Sequence, residues 1–161
     1  MERLWAPWRI GYLTQEKPAG CIFCQEGDHR DQLILMETPL VRIMLNRYPY
    51  AAGHLLVAPR RHTNAMEELT DAEIVELFRS VTRCRDALAS CAAPDGFNIG
   101  INVGKAAGAG VKDHLHLHVV PRWNGDSNFI CVMADTRVIP EALLDSYDRL
   151  LPYFAAGAGV P

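Results

Sequence analysis

The chain has 161 residues, 49% of them hydrophobic, and a formal net charge of −3. That length suits one domain with a real core, residues 1–161, and the small charge excludes a global attraction to nucleic acid or to an anionic membrane. No apolar run reaches the length of a membrane span, residues 1–20 carry Glu2, Arg3, Arg9, Glu16 and Lys17 rather than a secretory apolar stretch, and the five cysteines read as reduced, cytoplasmic thiols.

In chain order, Trp5, Pro7, Trp8 and Tyr12 crowd the first 20 residues, which suggests an arm packed on the body or on a partner subunit. Cys21 and Cys24 have metal-ligand spacing, but two cysteines do not close a tetrahedral site. His62, after a strand ending in Pro59, and His114 are candidates for the other two ligands. A pair of packed thiols without metal is the alternative. A redox pair is disfavoured because no βαβ pattern follows.

Leu33–Met36 and Leu40–Leu45 read as a hairpin or bent strand pair, and His54–Ala58 as the next strand, stopped by Pro59. Short links between them predict an antiparallel meander. Thr70-Asp-Ala-Glu73 is a capping box. The helix after it carries a stripe of Ile74, Leu77, Phe78, Val81, Cys84 and Leu88 and ends before Pro94. Phe97–Val103 is a strand, Phe129–Met133 a short one, and Pro140 opens a last helix with Ala142, Leu143, Leu144, Tyr147, Leu150 and Leu151 on its apolar side. Residues 155–161 form a small, flexible tail. Strands, one long helix, strands and a C-terminal helix make an α+β fold on an antiparallel sheet.

Residues 114–121 read His-Leu-His-Leu-His-Val-Val-Pro. The period of two places His114, His116 and His118 on one strand face, roughly 14 Å long, and Leu115, Leu117 and Val119 on the core face. Such a row serves either a metal, bound by neutral imidazoles, or covalent catalysis. The glycine-rich stretch Gly104–Gly110 just upstream favours catalysis at a phosphate, because backbone N–H groups there can approach an anion closely. The middle ring has a neighbour on either flank, which makes His116 the expected nucleophile. One of its nitrogens must be held as N–H, usually by a backbone carbonyl. His118 is expected to hydrogen-bond the phosphate or the leaving oxygen. Asn102 and N–H groups around Gly108, Ala109 and Gly110 are suited to the phosphoryl oxygens, with Lys105 and Lys112 as local cations. Phe23, Ile43 and Leu45 are candidate walls of a base pocket.

The alternation His-φ-His-φ-His-φ-φ, with Asn102-Val-Gly104 before it and Pro121-Arg-Trp123 after it, resembles the signature of the histidine triad family of nucleotide hydrolases and transferases. Asn46–Pro59 continues the match. Leu4–Arg9 and Cys21-Ile-Phe-Cys24 look like the bacterial branch that includes diadenosine tetraphosphate phosphorylases. The resemblance implies about five antiparallel strands with a helix packed on them, and usually a homodimer joined through that helix and the neighbouring strand. It also implies His116 as nucleophile in a nucleotidyl-histidine mechanism and Asn46 gripping the ribose hydroxyls. In zinc-bearing relatives it implies a Cys21, Cys24, His62 and His114 site. A phosphoramidase with an amine leaving group, or a zinc-stapled nucleotide sensor without turnover, is consistent with the same residues. The resemblance departs before the triad. Where many relatives carry Ser, Thr or Gln, this chain has Ala109-Gly-Val-Lys-Asp113, which leaves the leaving-group role to Asp113 or to a loop N–H.

Overall fold

The computed structural model describes residues 20–107, 110–126 and 141–155. The expected N-terminal arm, the Phe129–Met133 strand, Pro140, Gly108, Ala109 and the tail after Ala155 lie outside the described residues.

A one-turn helix α1 (His29–Gln32), absent from the sequence reading, is capped by Asp28 and leads into strand β1 (Ile34–Glu37). Strands β2 (Val41–Leu45) and β3 (Leu55–Pro59) follow, then the long helix α2 (Asp71–Ala92), β4 (Gly96–Ile101), β5 (Leu117–Arg122) and helix α3 (Leu143–Ala155). The five strands form one antiparallel sheet in the order β1-β2-β3-β5-β4. The first three make the expected meander. The β4–β5 hairpin joins it through β5, which places the histidine strand inside the sheet and β4 at its edge.

Strand alternation splits the core. On the helix side, Val41, Ile43, Leu45, Leu55, Val57, Leu117 and Val119 pack with Leu77, Val81, Cys84 and Leu88 of α2 and Tyr147, Leu150 and Phe154 of α3. On the other face, Phe23, Ile34, Met44, Leu56 and Ala58 form a second cluster. None of the described helices is long and apolar enough to cross a membrane.

The capping box of α2 is present, with Thr70 accepting from the Glu73 N–H and Glu73 bonding back. The helix is rotated from the expected stripe. Glu73 is buried at its start, whereas Ile74 and Phe78 are 40% and 63% exposed. Arg61 decides this by gripping Glu73 with two nitrogens at 3.1 and 3.0 Å, and its guanidinium, with Thr70, holds the carboxyl down to about 2. The last helix starts at Leu143, three residues after Pro140, and Leu144 is exposed.

At the entry to β3, Gly53 has a φ of +74° and an added Cβ would stand 2.9 Å from Leu88 Cδ2. Only glycine fits this left-handed turn without strain, and the turn sets the next residue, His54, at the mouth of the strand. Ahead of β5 the regular ladder stops at Val57–Leu117. The strand therefore begins at Leu117 rather than at His114. Pro59 has no N–H to extend the ladder, and Leu115 N–H donates instead to Thr63 O at 2.7 Å. That detour brings the 60–63 segment, with His62, alongside His114.

Candidate active site

Register brings a single row of side chains across the sheet. Leu56 and Gly100 both lie opposite His118, Met44 lies opposite Leu56, and Ile34 opposite Met44. Directly opposed residues share a face, so Met44 lies on the histidine face. Leu45 and Ile43 instead point into the helix-side core with Leu117 and Val119. On β2 it is therefore Met44, not Ile43 or Leu45, that shares the face of the histidines. Phe23 is on the expected face. It is buried, with its ring 4.9 Å from His116 and 5.0 Å from His114.

Each of the three triad rings is held differently. His114 Nε2 lies 2.8 Å from Pro59 O, an acceptor only, so this nitrogen carries the hydrogen. Its Nδ1 lone pair then faces Cys21 Sγ at 3.2 Å and Cys24 Sγ at 3.4 Å. His116 Nδ1 lies 2.8 Å from His114 O, so it too is a donor and Nε2 keeps its lone pair. Burial holds both rings below their ordinary pKa.

His118 is set by a fourth ring that the sequence reading passed over, His54. Tyr48 N–H donates to Asn46 Oδ1 at 2.9 Å, which turns the Asn46 amide nitrogen, a donor, toward His54 Nδ1 at 3.2 Å. Tyr50 N–H donates to the same Nδ1 at 3.0 Å. A nitrogen that accepts from an N–H bears none itself, so the hydrogen of neutral His54 sits on Nε2. It is donated to His118 Nδ1, 2.9 Å away. His118 therefore bears its hydrogen on Nε2. The Asn102 amide lies 3.4 Å from that nitrogen, and because an NH₂ cannot accept, its oxygen is the end that meets the His118 N–H. Two adjacent rings thus present opposite chemistry, a lone pair on His116 and an N–H on His118, with centroids 4.9 Å apart. Asn46, expected at a ribose, is engaged within the chain by both ends of its amide. The signal for His54 was a polar residue at the head of an otherwise wholly apolar buried strand.

Burial, and then the charges that His118 and His116 would add, push His54 down to about 3, and burial followed by His116 pushes His118 down to about 4. Both rings are neutral at pH 7, as this hydrogen-bond chain requires.

Beside the triad, Cys21, Cys24, His62 and His114 bring one ligand atom each to within 4.8 Å of one another, with Cys24 Sγ 3.3 Å from His62 Nδ1. A tetrahedral ion with sulfur at about 2.3 Å and nitrogen at about 2.1 Å sets such ligands roughly 3.6 Å apart. Two thiols with two imidazole nitrogens is a borderline-soft donor set, and it fits a structural metal. The knuckle carrying the cysteines is tied to β2 by Arg42, another residue that sequence reading missed. Its buried guanidinium pairs with Glu37 and donates to Gln25 O at 2.7 Å. Leaving it unpaired would cost several kcal/mol, on the order found for broken buried ion pairs. Of the remaining expectations, Gly110, Lys112 and Asp113 are exposed.

Against known proteins, the HIT domain family matches residues 28–125. The chain belongs to the histidine triad family. It is 38% identical over 158 residues to the AP-4-A phosphorylase of Mycobacterium tuberculosis, covering 91% of this chain and 80% of that protein. The adenosine 5′-monophosphoramidase of Schizosaccharomyces pombe is 36% identical over 109 residues, 65% of this chain and 75% of its own length. Among solved structures, a zinc-bound histidine triad protein from Mycobacterium smegmatis superposes with a TM-score of 0.62 at 31% identity, covering 76% of this chain and 84% of that one.

The low pKa values of His54 and His118 have a consequence for stability. Above pH 6.5, their ordinary value, the rings are neutral whether the chain is folded or not. As pH falls through 6.5, the unfolded chain takes up protons that the folded chain refuses until about 4 for His118 and about 3 for His54. Stability is therefore complete above 6.5 and declines across that window. Thermal midpoints measured from pH 8 to pH 4 should fall in this way, and more shallowly in His54→Asn. An equal decline in the two proteins would remove His54 as a source.

Proposed function

We propose that this histidine triad enzyme cleaves dinucleoside polyphosphates, with diadenosine tetraphosphate as the substrate class, by nucleotidyl transfer through His116. The observation that carries the reading is the pair of opposed tautomers, a lone pair on His116 Nε2 beside an N–H on His118 Nε2. The His116 lone pair attacks the α-phosphorus and an N–P bond forms. The P–O bond to the leaving nucleotide breaks, and its electron pair departs with the leaving oxygen, hydrogen-bonded by His118 N–H. Water or inorganic phosphate then attacks phosphorus, loses a proton, and returns the electron pair to Nε2 as the N–P bond breaks. Neutral imidazole suits this because it is nucleophilic near pH 7 without a separate base. Phe23, Ile34, Met44 and Leu56 offer the apolar wall for the base. The Asn102 NH₂ supplies a donor for charge on the phosphoryl oxygens. The His118 N–H fills the role left by the missing hydroxyl or amide before the triad. The name carried by the mycobacterial relative supports both the substrate class and phosphate as acceptor.

We also read the Cys21, Cys24, His62 and His114 set as a structural zinc site, supported by the zinc-bound relative. Zinc there would pin the knuckle and the ring of His114, whose carbonyl orients His116. The free thiols of Cys21, Cys24, Cys84 and Cys91 suit a reducing, cytoplasmic setting. Ile74, Val75 and Phe78 of α2 are exposed beside the edge strand β4, with exposed Ile99 and Val103. A homodimer formed through this side would cover them.

Incubation with diadenosine tetraphosphate and inorganic phosphate should yield ADP plus ATP, whereas AMP plus ATP would make water the acceptor. His116→Ala should slow single-turnover cleavage at least several hundredfold, on the order of 4 kcal/mol in barrier. Near-normal rates in that variant would remove His116 as nucleophile. Elemental analysis should find about one zinc per chain, and Cys24→Ser should lower both zinc content and thermal midpoint; metal-free protein of undiminished stability would end the zinc reading. Light scattering at micromolar concentration should give about twice the chain mass. The chain mass alone would return the exposed apolar residues of α2 to solvent.

A further inference from the structure

On the β4 side of His118 lies a cavity of about 400 Å³. Tyr50 walls it next to His54; Phe97, Asn98, Ile99, Gly100 and Asn102 wall it on the sheet edge, where Ile99 also belongs to the side assigned above to a homodimer; and His118 and Val120 form its floor. It lies on the opposite side of the histidine row from Phe23 and Met44. We propose that it is the subsite for the leaving nucleotide, holding the second nucleoside of a dinucleoside polyphosphate. This assignment rests on the nucleotidyl-transfer reading above and names the half of the substrate that reading leaves unplaced.

Four features carry it. The first is continuity. The His118 N–H, which meets the leaving oxygen, forms part of the floor, so a chain of phosphates departing past His118 runs into this space. Its volume is within the 300–1,000 Å³ range of small-molecule sites.

The second is the polar lining. Arg122 Nη1 donates to Asn98 Oδ1 at 2.7 Å. A guanidinium cannot accept, so the amide oxygen faces it and the Asn98 NH₂ remains a donor. With Asn102 this gives two amides along the wall, and among the described residues none of those lining it is a carboxylate that would repel phosphate.

The third is Tyr50. Its ring is 4.7 Å from that of His54 and stacks on His118 at 5.8 Å and 16°. It is 46% exposed. Stacking on such a ring is tolerant of base identity.

The fourth is Gly100. It lies directly opposite His118, its φ is not in the left-handed region, and an added Cβ would meet nothing within 4 Å. The backbone does not demand glycine here, and strand propensity disfavours it. What its missing side chain provides is open floor beside the catalytic ring.

The test uses the full chain carrying His116→Ala, so that ligands are bound without turnover, and calorimetric titration with AMP and with diadenosine tetraphosphate. The dinucleotide should bind more tightly than AMP. Adding Gly100→Val should reduce that preference about tenfold, and Tyr50→Ala should reduce it in the same direction while Tyr50→Phe retains it. An unchanged preference in both Gly100→Val and Tyr50→Ala, or none to begin with, overturns the subsite. Thermal midpoints of the variants separate occlusion from unfolding, and Tyr50→Ala, which adds no bulk, provides the second route if Gly100→Val is unstable. Should the dinucleotide preference respond as expected while wild-type protein fails to cleave diadenosine tetraphosphate, the turnover reading falls and the subsite stands.

Discussion

A buried imidazole must place both of its nitrogens, and in this protein main-chain groups place one nitrogen of three of the rings. Pro59 O takes the hydrogen of His114, His114 O takes that of His116, and Tyr50 N–H occupies the lone pair of His54. Everything else at the site follows from these contacts. Each leaves the second nitrogen of its ring with a defined state: a lone pair toward two thiols on His114, a lone pair on His116 Nε2, a hydrogen passed from His54 to His118. Backbone groups suit this task because their donor or acceptor character does not change with pH, whereas a carboxylate or another free histidine could protonate and reverse the pattern.

The same contacts join the two halves of the site. His114 turns its ring to Cys21 and Cys24 and its carbonyl to His116. The cysteine knuckle is also anchored by Arg42 to the sheet, and the segment carrying His62 by Arg61 to the start of α2. A disturbance of the knuckle therefore reaches His116 through one residue. The Cys21, Cys24, His62 and His114 set thus lies next to the carbonyl that orients His116.

Neutral rings come with a cost in acid, since a buried site that refuses protons is less stable where the unfolded chain accepts them. They also bring an advantage at pH 7, where no ring must first lose a proton to react. His118 is set from another part of the chain. Its hydrogen is held on Nε2 by a relay that begins at Tyr48 and Tyr50, well away in sequence from the glycine-rich loop.

Much of this was legible in the sequence. Short apolar runs bounded by turn residues identified β1 to β3, period-two alternation gave the face of the histidines, the capping box located the start of α2, and the Cys-x-x-Cys spacing marked the metal-type knuckle. These are local signals, governed by backbone geometry within a few residues. What the sequence left undecided depends on contacts between distant segments. Which face of β2 looks at the histidines, and hence Met44 rather than Leu45, follows from strand register. The rotation of α2 follows from Arg61 gripping Glu73. The role of His54 follows from its meeting with His118, 64 positions away. The alternating histidines by themselves determined that one face would bear imidazoles; only the folded chain, by bringing Pro59, His54 and the Tyr50 N–H against those rings, decided which nitrogen of each is free to react.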